Sequence, residues 1–308
     1  MGARHSLSRV EKIERMLPSV TGENYSSVFG IVAANGDLLR SVKKHGNLWA
    51  TTDDKVDIYI AEKLERALYS QKRFVIVIGG RGSAKSVGVH DIVLSRVRDS
   101  GAKVMCMREF QESIADSVHS LLESEIERLS LEGFDQQAKA IYSTNGGEIK
   151  YRGLSRNPSS VKSAHGFNIF CCEESDNLSD KSIKTLTPTA RNKAKFGTPA
   201  QIAEQTLKMA AEGKDTFSAV QMFFIANPKS QNDPFSKRFI NPFLEDIRRD
   251  GYYEDDLHLI IMMNFDDNPW YADSGLEGER LRDLENLSDA HYEHIWGGGF
   301  MDEVANSI

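Results

Sequence analysis

Residues 74–89 read FVIVIGGRGSAKSVGV, and this stretch decides the fold of the chain. The run Phe74–Ile78 is apolar, rich in β-branched residues and too short for a free-standing helix, so it predicts a fully buried strand. The eight residues after it fit the phosphate-loop pattern G-x-x-x-x-G-K-[ST], except that Ala84 replaces the second glycine. A strand that runs into such a loop predicts the centre of an α/β domain.

The residue types of this loop fit the binding of ATP. Glycines let successive backbone N–H groups point at an anion, and the following helix adds its positive end. Lys85 is expected to reach the β- and γ-phosphates, and the Ser86 hydroxyl is expected to hold Mg²⁺. An ordinary glycine-rich turn between a strand and a helix is the alternative. We assign nucleotide binding to Gly79, Gly80, Arg81, Gly82, Ser83, Ala84, Lys85 and Ser86.

A second buried run ends in two carboxylates. Ile169–Cys172 predicts a strand, and Glu173 and Glu174 follow it directly. We expect Glu173 to hold the Mg²⁺ shell and Glu174 to orient and deprotonate the attacking water, as an NTPase requires. Most acidic pairs at strand ends are surface turns, but this pair follows the loop lysine with strands and helices between them. That order favours the catalytic interpretation.

Three more polar residues are candidates for the site, each with a simpler alternative. Arg81, inside the loop, is assigned a catalytic role in stabilising transition-state charge, or else forms a salt bridge that shapes the loop. Asn227 ends the predicted strand Met222–Pro228, where it is either a γ-phosphate sensor or part of an Asn-Pro turn. Arg108 ends the predicted strand Ala102–Met107 and faces either the ligand crevice or solvent.

The remaining patterns predict a mainly parallel sheet with helices on both faces, plus an amino-terminal appendage. We divide the chain into that appendage (1–52), a phosphate-loop ATPase core (53–265) and an acidic helical segment (266–308). Just before the loop strand, Tyr69, Gln71 and Arg73 are candidates to pack on the nucleotide base. Helices are predicted at Ser6–Met16, Asp53–Ser70, Ser86–Asp99, Ser113–Ser130, Ala200–Gly213 and Leu276–His294, a hairpin at Ala140–Ser155 and a strand at Leu257–Met263.

Composition limits the partners and the compartment. The net charge is −7, but residues 251–308 carry 14 acidic residues against two arginines, so the rest of the chain carries +5. A basic patch on that body would meet nucleic acid phosphates or would simply be a solvated face. The three cysteines lie in strand-like runs, so we expect reduced core residues. No apolar run is long enough for a membrane span or a signal peptide, so a soluble cytoplasmic protein is expected.

Several motifs in this order resemble the ATPase part of the large terminase subunit of tailed bacteriophages, from about Arg73 to the end of the chain. The resemblance rests on GGRGSAKS (79–86), MCMREFQESIADSV (105–118), EIKYRG…VKSAHG (148–166), FCCEESDNLS (170–179), LTPTAR (186–191), FIANP (224–228), DDNPWY (266–271) and HYEHIWGGGF (291–300).

This resemblance implies a motor that hydrolyses ATP with Mg²⁺ and drives double-stranded DNA into a preformed head. It also implies a homo-oligomeric ring on the phage portal protein, a small terminase subunit that selects the DNA, and the cytoplasm of the infected host. Large subunits of this family continue into a ribonuclease-H-like nuclease domain, whereas this chain ends at Ile308, so nuclease activity is not expected. A helicase-like or transporter-like phosphate-loop ATPase and a nucleotide-binding module that does not hydrolyse ATP are the alternatives.

Overall fold

The structure is a computed structural model of the 308-residue chain, and it describes residues 26–45, 48–110, 115–155, 166–190 and 220–301. The helices predicted at Ser6–Met16 and Ala200–Gly213 lie outside these ranges. Within them, no helix combines the length and the apolar character that a membrane crossing needs.

The main sheet has nine strands, and the loop strand lies near its centre. The central strands, from His258–Met262 across the sheet to Glu148–Gly153, are parallel to their neighbours, whereas the pairs at the two ends of the sheet are antiparallel. The mainly parallel sheet is therefore confirmed. In spatial order the strands are β12 (Tyr252–Glu254), β13 (His258–Met262), β5 (Phe74–Ile78), β11 (Gln221–Ala226), β10 (Ile169–Cys172), β6 (Lys103–Arg108), β9 (Glu148–Gly153), β8 (Ala140–Ser143) and β7 (Phe134–Gln137).

Strand β5 is buried on both faces, because its alternate side chains enter two separate hydrophobic cores. Val75 and Val77 join the core that contains Ile92, whereas Ile76 and Ile78 join the core that contains Phe235. Helices thus cover both faces, as predicted. They are α1 (Glu65–Tyr69), α2 (Lys85–Ser100), α3 (Ser120–Arg128), α4 (Asp180–Thr189), α5 (Pro234–Phe239), α6 (Leu244–Asp250), α7 (Glu277–Asn286) and α8 (Asp289–Tyr292).

The cysteines lie on two neighbouring strands of this sheet. Cys106 is on β6, and Cys171 and Cys172 are on β10. All three are buried free thiols, as predicted.

The amino-terminal appendage contributes three of the four strands of a second sheet, which the sequence patterns did not predict. Its four strands are β1 (Val28–Val32), β2 (Leu38–His45), β3 (Leu48–Thr51) and β4 (Ile58–Ala61), in the order β3-β2-β1-β4. The helix predicted over Asp53–Ser70 is therefore wrong at Ile58–Ala61, where the chain pairs in parallel with β1. Ile58 and Ile60 are two residues apart, which is strand spacing, and both are buried in the core shared with α2.

The turn between β5 and α2 requires unusual backbone conformations. Gly79 and Gly82 have φ angles of 148° and 72°, and Ala84, directly before α2, has a φ of 57°. A left-handed conformation costs an L-residue roughly 1–2 kcal/mol because its Cβ approaches the following carbonyl oxygen. The alanine that replaces the second glycine of the loop pattern is therefore strained.

We expect Ala84→Gly to stabilise the protein by about 0.5–1 kcal/mol, because glycine removes this strain but has more conformational freedom to lose on folding. The free energy of unfolding, measured by urea denaturation, tests this expectation. Ala67→Gly in α1 is the matched control, since it makes the same change within a right-handed helix. That control should destabilise the protein by about 1 kcal/mol or more. A similar loss for Ala84→Gly would contradict the strain argument.

Candidate nucleotide-binding site

The loop of residues 79–86 lies at the carboxyl edge of the parallel sheet. Strands β5, β11 and β10 are adjacent and end at this edge, so the topology brings together the residues that follow each of them. The loop follows β5, Asn227 follows β11, and Glu173 follows β10. The crevice beyond this edge is where ligands bind in open α/β sheets.

A later part of the chain holds the loop from outside. The Gly80 N–H donates to Asn264 Oδ1 at 3.0 Å, and Asn268 Nδ2 donates to the Gly82 carbonyl at 2.7 Å. The Arg81 N–H donates to the Ile295 carbonyl at 2.7 Å. We call residues 264–299 the loop clamp. Sequence reasoning did not give these residues a role, although the motifs DDNPWY and HYEHIWGGGF lie largely within them.

Lys85 folds back onto the loop. Its Nζ atom donates to the Gly80 carbonyl at 2.8 Å and lies 3.3 Å from Ser83 Oγ. Burial lowers the pKa of Lys85 to about 8, although the carboxylates of Glu173 and Asp176 oppose this shift. An anion in the crevice would stabilise the charged ammonium more effectively than a neutral carbonyl does. The geometry therefore fits a lysine that receives phosphate.

Glu173 and Ser86 form a pair of oxygen ligands next to this lysine. Ser86 Oγ is 3.4 Å from Glu173 Oε2, at the limit of a hydrogen bond, and Glu173 is buried. Glu173 Oε1 is also buried, and His90 Nδ1 lies 3.5 Å from it without forming a hydrogen bond. A buried carboxylate is costly unless a donor or a cation binds it.

These two residues fit Mg²⁺, which prefers oxygen ligands and takes only one or two from protein when phosphate and water complete its shell. No group of three or more His, Cys, Asp or Glu side chains able to hold a metal occurs in the described part of the chain.

Glu174 is held by both its backbone and its side chain. Its φ and ψ angles are 49° and 47°, a left-handed conformation that is uncommon for residues other than glycine. Its Oε1 atom is 3.2 Å from Arg108 Nη1, and 53% of its side chain is exposed. The chain reversal after β10 thus gives the two carboxylates different surroundings, with Glu173 buried and Glu174 exposed to solvent.

Arg108 is not a plain surface charge. Its side chain is 12% exposed, and its Nη2 atom is 4.0 Å from Glu173 Oε2, so the guanidinium lies beside both carboxylates. Of the two interpretations of the sequence, the structure favours the one in which Arg108 faces the crevice.

Arg81 and Asn227 have different partners around the loop. Arg81 is 66% exposed, and its Nη1 atom is 3.9 Å from Glu279 Oε1 of α7. With its amide nitrogen turned toward them, Asn227 donates to the carbonyls of Gly79 and His294, at 3.2 and 3.3 Å. Asn227 therefore bridges the loop and the loop clamp, whereas Arg81 is free to turn toward the crevice or toward Glu279.

Two charged residues beside Asn227 were missed by the sequence reasoning. Asp176 Oδ1 is 3.4 Å from the Asn227 N–H, and Asp176 Oδ2 pairs with Lys229 Nζ at 2.9 Å. Asp176 lies only two residues after the acidic pair. In the sequence, nothing distinguishes this third carboxylate from an acidic residue of a surface turn. Its pairing with Lys229 links the segment after β10 to the segment after β11.

The residues predicted to pack on the base are at the wrong end of β5. Tyr69 and Arg73 precede this strand, and the loop follows it. The length of the strand, about 16 Å at ~3.3 Å per residue, therefore separates them from the loop. Arg73 donates to the carbonyls of Thr187 and Ala190, and the Tyr69 hydroxyl donates to Glu65. The structure thus contradicts the prediction for Tyr69 and Arg73, and Gln71 also precedes the strand.

Two solved structures are among those similar to this fold. A large terminase from a thermophilic bacteriophage matches with a TM-score of 0.51 and 12% identity, over 76% of this chain and 52% of that protein. The same large terminase in complex with ADP matches with a TM-score of 0.53 and 13% identity, over 78% and 53%. This chain therefore spans about half the length of these proteins. At such identities the likeness establishes the fold.

The sequence comparisons address the family. No curated protein sequence matches the chain significantly. A family model described as phage terminase large subunit matches residues 71–299, which include the loop, the acidic pair and the loop clamp. This match covers well over half of the chain and agrees with the motif resemblance, so the chain belongs to the phage terminase large subunit family.

Proposed function

We propose that this chain is the ATP-hydrolysing motor domain of a terminase large subunit, which drives DNA into the procapsid. The observation that carries the proposal is the buried Glu173 carboxylate, whose Oε2 atom lies beside the Ser86 hydroxyl at the start of the helix that follows the loop. A helicase-like phosphate-loop ATPase would share this feature, and family membership favours the terminase.

The backbone N–H groups of the loop would donate to the phosphates of ATP. Lys85 Nζ would leave the Gly80 carbonyl and donate to the β- and γ-phosphates instead. Ser86 and Glu173 would hold Mg²⁺, which when bound neutralises charge that develops on the phosphate oxygens. Binding would thus give the Lys85 ammonium an anionic partner in place of the neutral Gly80 carbonyl.

Glu174 would orient the attacking water and accept its proton. A general base must reach its substrate, and the side chain of Glu174 is 53% exposed whereas that of Glu173 is buried. Arg108 holds the Glu174 carboxylate at 3.2 Å, so its release from Arg108 would precede proton transfer. A module that only binds nucleotide would have no need of a strained, accessible carboxylate at this position.

Asn227 would sense the γ-phosphate. Its contacts to the Gly79 and His294 carbonyls mean that a displacement of the loop would also displace the loop clamp. By family resemblance, the assembled motor would form a homo-oligomeric ring on the portal protein in the host cytoplasm, with double-stranded DNA and a small terminase subunit as its partners. By the same resemblance, this domain would move DNA without cutting it. In its acidic segment, the Asp267 carboxylate accepts from the Asn264 N–H and pairs with Lys63, so it supports the loop clamp.

Two substitutions separate binding from hydrolysis. Lys85→Ala should weaken ATP binding about 10–100-fold, because it removes a charged hydrogen-bond donor to phosphate. Glu174→Gln should keep the affinity for ATP and lower turnover about 10²–10⁴-fold, because it removes only the base. Calorimetric binding and steady-state phosphate release measure the two effects. Near-normal turnover of Glu174→Gln would assign the base to another residue.

The pKa of Lys85 predicts a pH dependence of binding. Because this pKa is about 8 in the free protein, binding with a charged ammonium must take up a proton above pH 8. Affinity for ATP should thus be nearly constant from pH 6.5 to 7.5 and fall by up to about tenfold per pH unit above 8. Lys85→Arg is the control, since arginine stays charged throughout this range and should give a flat profile. A flat profile in the unsubstituted protein would contradict the assignment.

The two roles of Arg81 can be distinguished by two substitutions. If Arg81 stabilises transition-state charge, Arg81→Lys should lower kcat about 10-fold or more with little change in ATP affinity, because lysine lacks the planar guanidinium. If Arg81 only shapes the loop through its ion pair, Arg81→Lys should leave kcat nearly unchanged because lysine keeps the charge, whereas Glu279→Gln should alter the kinetics because it removes the pair. An unchanged kcat for Arg81→Lys would exclude the catalytic role.

A further inference from the structure

His90 is a fully buried titratable residue that the proposed mechanism does not use. It lies on α2, one turn after Ser86, and its side chain has no solvent exposure. The Nδ1 atom is 2.8 Å from the Ser86 carbonyl oxygen and 3.5 Å from Glu173 Oε1. The imidazole therefore contacts both of the residues that would hold Mg²⁺.

The hydrogen bonds of His90 fix the orientation of its ring. Nδ1 carries a proton, because its partner at 2.8 Å is a carbonyl oxygen, which can only accept. On the other side of the ring, Nε2 is 3.9 Å from Cys171 Sγ on β10. Cys171 is itself hydrogen-bonded to Cys106 on the neighbouring strand, and that bond together with burial raises the pKa of the Cys171 thiol well above its usual value. The ring is thus attached to α2 through Nδ1 and to the sheet through Nε2.

We propose that His90 is a positioning residue for the Mg²⁺-binding pair Ser86 and Glu173, an inference that rests on the proposed function. The imidazole occupies the space beside Glu173 Oε1, and this keeps Oε2 directed at the Ser86 hydroxyl. Without the ring, Glu173 Oε2, which already lies 4.0 Å from Arg108 Nη2, would be free to move closer and form a full ion pair with that guanidinium. A carboxylate paired with arginine would no longer be available to a cation.

The competing explanation is that His90 only fills space between α2 and the sheet. Filling space would make His90 important for stability but would not distinguish nucleotide binding with Mg²⁺ from binding without it. The positioning role would change only the contribution of Mg²⁺ to nucleotide affinity, because Lys85 and the loop N–H groups would contact phosphate directly. Residues that orient metal ligands without binding the metal themselves typically contribute about 10–100-fold to metal affinity.

The test compares the affinity for ATPγS in EDTA with the affinity in Mg²⁺, measured by calorimetry. We expect His90→Leu to lose about tenfold or more of the enhancement that Mg²⁺ gives, while its affinity in EDTA changes less than about twofold. His90→Asn should recover most of the enhancement, because its Nδ2 atom can occupy the place of Nδ1. His119→Leu is the control for the loss of a buried histidine, since His119 bonds to Tyr151 and Glu123 instead.

Each other outcome is informative. If Mg²⁺ enhances the affinity of His90→Leu for ATPγS as much as that of the unsubstituted protein, the inference is overturned and the proposed function is left intact. The same holds if His90→Leu loses equal affinity in EDTA and in Mg²⁺ and His90→Asn does not restore it. Failure of the unsubstituted protein to bind ATPγS would overturn both. If His90→Leu does not fold, His90→Asn and His90→Gln replace it. Only the asparagine should then retain the enhancement, because a glutamine amide reaches the Nε2 side of the ring.

Discussion

The close approach of two backbone segments is the constraint on which the site depends. A Cβ atom on Gly80 would lie 2.2 Å from the Trp296 carbonyl oxygen, and one on Gly298 would lie 2.7 Å from the Gly79 Cα. Real Cβ atoms essentially never come so near to backbone atoms, so glycine is required at both positions. Because the two segments are so close, the loop clamp forms hydrogen bonds directly with the loop backbone, as a donor at Asn268 and as an acceptor at Asn264 and Ile295. The shape of the loop is therefore determined by residues about 200 positions later in the chain.

Backbone strain is concentrated at the same place. Of the three non-glycine residues with positive φ in the described ranges, Ala84 lies in the loop and Glu174 lies at the acidic pair. Such conformations cost of order 1–3 kcal/mol each and persist only where the surroundings enforce them. Here the surroundings are the parallel strands β5 and β10, whose buried side chains leave little freedom to the residues that follow. The fold thus uses stability from its core to hold reactive groups in place.

Local sequence patterns were sufficient for most of the sheet and for the order of the site residues. Buried strands such as Phe74–Ile78 and Ile169–Cys172 are recognisable because both faces are covered, which gives continuous apolar runs. The patterns failed where long-range contacts decide. Ile58–Ala61 becomes a strand only by pairing with β1, and Asn264 and His90 gain their roles from partners that are far away in the chain or on another element. The misplaced base residues, Tyr69 and Arg73, show the same limit, since proximity in sequence did not give proximity in space.

The proposed function requires that the loop, Ser86 and the two glutamates form one Mg²⁺–ATP site. A crystal structure with ADP, Mg²⁺ and a fluoride mimic of the γ-phosphate is the decisive test. We expect Lys85 Nζ to leave the Gly80 carbonyl for phosphate, and Ser86 and Glu173 to face the metal. We also expect Glu174, released from Arg108, to contact the water in line with the mimic. Nucleotide bound elsewhere, or a Glu174 side chain still paired with Arg108 and without such a water, would show that these residues do not form this site.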